Sequence, residues 1–154
     1  MSVDLEATGV REALRRAAEF RLLGLLFERP RPGGRAGAAD LAREAGDPAL
    51  SGIEKGLRDL DGAAYVALLG PGGPVSPREV AYRRREDPGW VMADVAGFYR
   101  AFGFEPRAED PVDHIAVEPG IVGYLWLKEA IARAEGNREA AEVTELAREN
   151  FLED

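Results

Sequence analysis

Between Asp87-Pro88 and Gly103, the apolar residues Val91, Val95, Phe98, Tyr99 and Phe102 recur at the spacing that places them on one face of a helix. Asp is a good N-cap, Pro suits the first helical position, and Gly ends a helix in the left-handed conformation. The same pattern recurs along the chain. It predicts a helix over residues 5–27 with Leu14, Ala18, Leu22, Leu25 and Leu26 on its stripe, a weaker one over 38–45, and one carrying Leu50, Ile53, Leu57 and Leu60. Asp61-Gly62 separates or kinks the last of these from a segment over 63–69. Asp110-Pro111 offers a further start signal leading into Ile115, Val122, Leu125, Trp126 and Ala130. Pro119 and Gly120 interrupt that span, so the helix is kinked there or begins only at Glu118. Gly136 and Asn137 introduce a last helix striped by Ala140, Val143, Ala147 and Phe151. No segment shows the sustained two-residue alternation of a sheet. The expectation is an all-α chain of about six or seven helices.

At 154 residues the chain is the size of one compact domain, and residues 1–154 are read as a single helical unit. Gly70, Pro71, Gly72, Gly73, Pro74 and Pro77 make residues 70–77 an irregular connection where neither helix nor strand survives. Lys plus Arg number 20 against 28 Asp plus Glu, a net charge of −8, which opposes nucleic-acid and anionic-lipid roles. The longest apolar run, residues 22–27, is far below the roughly 20 residues of a membrane span. The absence of cysteine excludes disulfides and thiolate metal sites and suits a cytoplasmic protein. No cofactor and no metal ion is expected.

The residues offer little catalytic machinery. His114, beside Asp113, is the lone histidine: it reads as a carboxylate-assisted base or metal ligand, or as a residue held by capping bonds at a helix start. No second histidine supplies a metal cluster, and no nucleophile motif accompanies it, so an enzyme is not expected. Gly70-Pro71-Gly72-Gly73 lacks the strand and the Lys-Ser/Thr ending of a phosphate loop. Arg83-Arg84-Arg85 is followed at once by Glu86 and Asp87 and reads as a solvated face. The strongest local field is acidic. Glu105, Glu109, Asp110, Asp113 and Glu118 stand against Arg107 alone, a sum of 1 − 5 = −4. It either receives an arginine-bearing peptide through forked hydrogen bonds or only caps helices.

Two of these patches carry a family resemblance. Tyr65-Val66-Ala67-Leu68-Leu69-Gly70-Pro71, followed by Pro77, Glu79 and Tyr82, is similar to the Tyr-x-x-Leu-Phe segment, Gly-Pro turn and Pro-x-Glu-Ser-x-Tyr element of the TorD/DmsD/NarJ family of redox-enzyme maturation chaperones. Asp110-Pro111-Val112-Asp113-His114-Ile115-Ala116-Val117-Glu118 resembles that family's Glu-Pro-x-Asp-His signature and the Ile-Ala-x-Glu after it. Phe98-Tyr99-Arg100-Ala101-Phe102-Gly103-Phe104 sits where the family has a Tyr-x-x-Phe-Gly-Leu helix end. The order agrees over residues 14–129. The chain departs at Asp110 for Glu, Leu69 for the aromatic, Arg78 for Tyr and Val80 for Ser.

The resemblance implies a cytoplasmic molecular chaperone for a molybdenum-containing oxidoreductase. Such a protein binds the twin-arginine leader or N-terminal region of the catalytic subunit before export. Asp110, Asp113, His114 and Glu118 would then stand at or beside the client peptide, with Tyr65, Glu79 and Tyr82 shaping the neighbouring groove. The alternative is a non-catalytic accessory subunit permanently bound to a redox enzyme. Relatives usually continue beyond the position of Asp154 through one or two further helices, so the resemblance also implies exposed apolar surface inviting a homodimer or a helix-swapped dimer.

Overall fold

The computed structural model describes residues 9–57, 60–106 and 109–153. Among them are seven α-helices: α1 (Val10–Phe27), α2 (Ala38–Ala45), α3 (Pro48–Leu57), α4 (Gly62–Leu69), α5 (Pro88–Phe102), α6 (Glu118–Ala134) and α7 (Arg138–Glu153). One turn of 3-10 helix lies at Glu79–Ala81, and the described residues contain no strand. The all-α expectation holds. Residues 5–8, Arg107 and Asp154 lie outside the described residues, and with them part of the first predicted helix and the cation of the acidic stretch.

Local chemistry sets most helix ends. The Asp61 side chain accepts from Ala64 N–H at 2.8 Å and opens α4; Asp87 does the same for Trp90 N–H at 3.0 Å in α5. Gly103 closes α5 with a φ of 69°, a conformation that side-chain-bearing residues rarely adopt. Asn137 caps α7 through Ala140 N–H at 3.0 Å.

The Asp110-Pro111 signal does not start a helix. The Ile115 N–H that an α-helix would direct to Pro111 instead donates to Pro77 O at 2.8 Å, and Glu79 N–H donates to Asp113 O at 3.0 Å. Together with the isolated antiparallel bridge between Arg78 and His114, these bonds tie residues 77–79 to 113–115. Residues 111–117 form successive turns, and α6 begins at Glu118 with Pro119 in its first turn.

The centre of the fold is the crossing of α1 and α6. A Cβ at Gly123 would stand 3.1 Å from Ala17 O and 3.2 Å from Arg21 N, so the two backbones approach as closely as glycine allows. Around this crossing Val95, Tyr99, Val117, Ile121, Val122, Leu125 and Ala147 form one buried cluster, and Leu22, Leu26, Ala38 and Ala42 a second. Each fully buried Val, Leu or Ile contributes about 1.5–3 kcal/mol relative to exposure. Phe98 and Phe102 meet at 4.9 Å between ring centroids, Phe98 and Phe151 at the same separation, and Phe104 stands edge-on to Tyr99 at 5.1 Å. These aromatic rings join α5, α7 and the chain after α5 into one core.

Two predicted stripes hold apart from one residue in each, since Leu50 and Leu57 of α3 and Ala147 and Phe151 of α7 pack against the core as expected. Ile53 and Val143 face outward, while Leu50 and Leu57 of α3 and Ala141, Thr144, Ala147 and Arg148 of α7 face inward. The inward face of α7 also carries a charge. Arg148 must reach the buried Glu129 of α6, at 3.1 Å, and its guanidinium lies 3.3 Å over the Trp126 ring.

Candidate functional site

A groove of about 440 Å³ opens where α5, the first turns of α6 and the end of α7 meet the 3-10 turn. Its apolar lining comes from Phe20 of α1, Val95 and Phe98 of α5, Val122 of α6, and Phe151 and Leu152 of α7. Its polar lining is Glu79, Tyr82, Arg83, Asp94 and Glu118. An apolar trough edged by carboxylates suits an apolar chain that carries cationic groups.

Glu79 and Glu118 form the chemical centre of that edge. Burial first, and then the hydrogen bond and negative charge of Glu79, raise Glu118 to about 8. The same hydrogen bond, followed by bonds from Arg83, holds Glu79 below its ordinary value. The two carboxyl groups titrate together, and burial with the neighbouring negative charge favours one proton held on the pair at neutral pH. The Oε1 atom of Glu118 is buried without a hydrogen-bond partner. Arg83 is already committed, to Glu79 at 2.8 Å and to Glu86 at 2.6 Å.

The seven residues singled out by the resemblance fall into three places. Glu79, Tyr82 and Glu118 line the groove; Tyr82 is well exposed, and its hydroxyl donates to Ser76 O at 2.9 Å. Asp113 lies behind them, fully buried, with Arg78 Nε on its Oδ1 at 2.6 Å and Val80 N–H on its Oδ2 at 3.3 Å. Its carboxylate thus has partners within the chain and holds the 3-10 turn that presents Glu79.

Asp110, His114 and Tyr65 are not part of the groove lining. His114 is buried; its Nδ1 accepts from Ala116 N–H at 3.0 Å, and Nε2 stands 3.9 Å from Asp110 Oδ1. Burial, aided by the positive charge of Arg78, lowers its pKa against the pull of Asp110, which leaves a neutral ring with its proton on Nε2. Of the two readings of this histidine, the bonding is that of a residue holding a turn. Tyr65 is buried, its hydroxyl donating to Phe27 O at 3.2 Å, and burial raises its pKa.

Asp94, Phe20 and Phe151 join the groove without a motif to announce them. Arg83 is different: its place four residues after Glu79 is a legible ion-pair spacing. Among the described residues, no group of three or more His, Asp or Glu side chains is arranged to hold a metal ion. Nor is any helix among them long and apolar enough to cross a membrane.

The fold is similar to that of a crystal structure described as a redox enzyme maturation protein from Archaeoglobus fulgidus, at a TM-score of 0.59 and 22% identity, over 90% of this chain and 94% of that one. No curated protein sequence matches the chain. The model of the nitrate reductase delta subunit family matches residues 7–154, nearly the whole sequence, and the chain belongs to that family.

Proposed function

We propose that this protein is a non-catalytic maturation chaperone for a molybdenum-containing oxidoreductase, and that its groove receives the twin-arginine leader or N-terminal region of the catalytic subunit before export. The observation that carries this reading is the meeting of an apolar trough, floored by Phe98, Val122 and Phe151, with the carboxyl groups of Glu79, Asp94 and Glu118. The apolar part of a leader fits the trough, and its arginines meet carboxylates through charge-assisted hydrogen bonds. The net charge of −8 speeds encounter with a basic segment, an effect that fades with salt. Family membership and the likeness to a redox enzyme maturation protein support the same assignment.

Fluorescence anisotropy with a labelled twin-arginine leader peptide tests it. Saturable binding is expected, weakened both by replacing the two arginines with alanine and by Phe98→Asp in a chain whose helical circular dichroism is unchanged. Absence of binding, or binding indifferent to both changes, overturns the assignment. Affinity capture of a molybdoenzyme catalytic subunit with its leader uncleaved would identify the client. Capture of mature, cofactor-loaded enzyme alone would favour the accessory-subunit alternative.

A further inference from the structure

We infer that the Glu79–Glu118 pair holds one proton that a client's guanidinium or ammonium group displaces, so that capture of a cationic segment in this groove releases a proton to solvent. The inference rests on the reading of the groove as the client site. Its basis is the set of charges around Glu118. Glu79 faces it from the 3-10 turn, Asp113 from the segment before α6, and Arg83 from the chain after that turn. Asp94 of α5 lines the same groove, while α1 and α7 contribute only the uncharged Phe20, Phe151 and Leu152. Tyr99 of α5 lies close enough to feel Glu118, but its hydroxyl donates to Val112 O at 2.7 Å.

Arg83 is already engaged with Glu79 and Glu86, and Arg78 with Asp113. Arg83 acts on Glu118 more weakly than burial and Glu79 do, and the Oε1 of Glu118 is buried and unbonded. Burial and the neighbouring carboxylate keep the proton on Glu118 in the empty groove, with its pKa at about 8. A cation entering beside the pair reverses that balance. The O–H bond of Glu118 breaks, its proton passes to a buffer base, and the carboxylate so formed accepts N–H donors from the incoming group. No electron moves and no other reactant is needed. Arginine-bearing segments gain an ion pair from this exchange, and uncharged ones do not.

Titration calorimetry of the full chain, in phosphate and in Tris at about pH 6.5, measures the proton count from the difference in apparent binding enthalpy. The probes are a twin-arginine leader peptide and the same peptide with both arginines replaced by citrulline, a neutral analogue of the same shape. The expected result is about one proton released per arginine peptide and none per citrulline peptide. Glu118→Gln, checked for unchanged helicity, should bind the arginine peptide more weakly and with no proton release. Wild-type binding without proton release overturns the inference while leaving the groove assignment standing, as does equal release with citrulline or with the Gln variant. If neither peptide binds, the groove assignment falls and the inference with it.

Discussion

Arg78 Nε donates to Asp113 Oδ1 at 2.6 Å across 35 residues of sequence, and the carboxyl it meets has no exposure to solvent. The remaining Asp113 oxygen takes Val80 N–H, and its backbone carbonyl takes Glu79 N–H. One aspartate thus fixes the turn that presents Glu79 to the groove. Arg78→Ala strands a buried carboxylate and should cost about 3 kcal/mol in urea denaturation. Asp113→Ala should cost a similar amount, whereas Arg78→Met combined with Asp113→Leu should recover part of the loss. A stable Arg78→Ala chain would mean that this pair does not hold the turn.

That pairing also marks where sequence reasoning stops. The bounds of α2 and the caps of α5 and α7 are legible because they depend on residues within one turn of each other: Asp87 with Trp90, Asn137 with Ala140. The beginning of α6 at Glu118 was one of two openings that Pro119 allowed. The false helix start at Asp110-Pro111 has a non-local cause, since Pro77 O takes the amide hydrogen that the helix would have used. The same holds at the groove. The acidic and Tyr-bearing motifs supply Glu79, Tyr82 and Glu118, but Phe20, Asp94 and Phe151 arrive from α1, α5 and α7, where their spacing says only that they sit on helices. Tyr65, Asp110 and His114 share the motifs without sharing the groove, because a motif records order along the chain and not which side of α6 a residue occupies.

Stability should depend on pH through Glu118. Its folded pKa of about 8 lies above the ordinary value of 4.5, so between the two the folded chain holds a proton that the unfolded chain has lost. The stabilisation linked to this proton is complete below the lower value, declines as pH rises, and is gone above the higher one. Glu118→Gln removes the decline. Its melting temperature should therefore gain on wild type between about pH 5 and about pH 8. His114, whose pKa is lowered, contributes a slope of opposite sign, losing stability as pH falls through its unfolded value near 6.5, but it does so in both proteins and cancels in the comparison. Parallel curves for the two proteins would show that Glu118 ionises normally in the folded chain.

The crossing of α1 and α6 sets a steric test. Gly123→Ala places a methyl group 3.1 Å from Ala17 O and 3.2 Å from Arg21 N, atoms of a packed helix backbone that cannot swing aside. The helices must separate, at a cost of about 1–3 kcal/mol that outweighs the gain of about 1 kcal/mol from helix propensity. Gly52→Ala in α3 is the matching control. Nothing lies within 4 Å of its Cβ, and it should stabilise by about 0.5–1 kcal/mol. Chemical denaturation should give opposite signs for the two; a stabilised Gly123→Ala would mean that the backbones are less closely packed than this.

The last test concerns the wall of the groove contributed by α7. Glu129 is buried and meets Arg133 Nη2 at 2.7 Å and Arg148 Nη2 at 3.1 Å, but the two arginines are not equivalent. Arg133 lies on the same helix as Glu129, is a third exposed, and reaches α7 only through a longer, half-exposed ion pair with Glu145 at 3.6 Å, so its loss leaves the buried α6–α7 contact in place. Arg148 is buried, reaches across from α7, and covers the Trp126 ring at 3.3 Å. Arg148→Ala removes the buried interhelical ion pair and the stacking together, and should cost about 3 kcal/mol, against about 1 kcal/mol or less for Arg133→Ala. Because α7 also supplies Phe151 and Leu152 to the groove, loosening it should weaken leader-peptide binding as well. Hydrogen exchange provides the direct measurement, with α7 amides in Arg148→Ala exchanging faster than those of α2. Equal exchange in the two arginine variants would show that packing alone holds α7 in place.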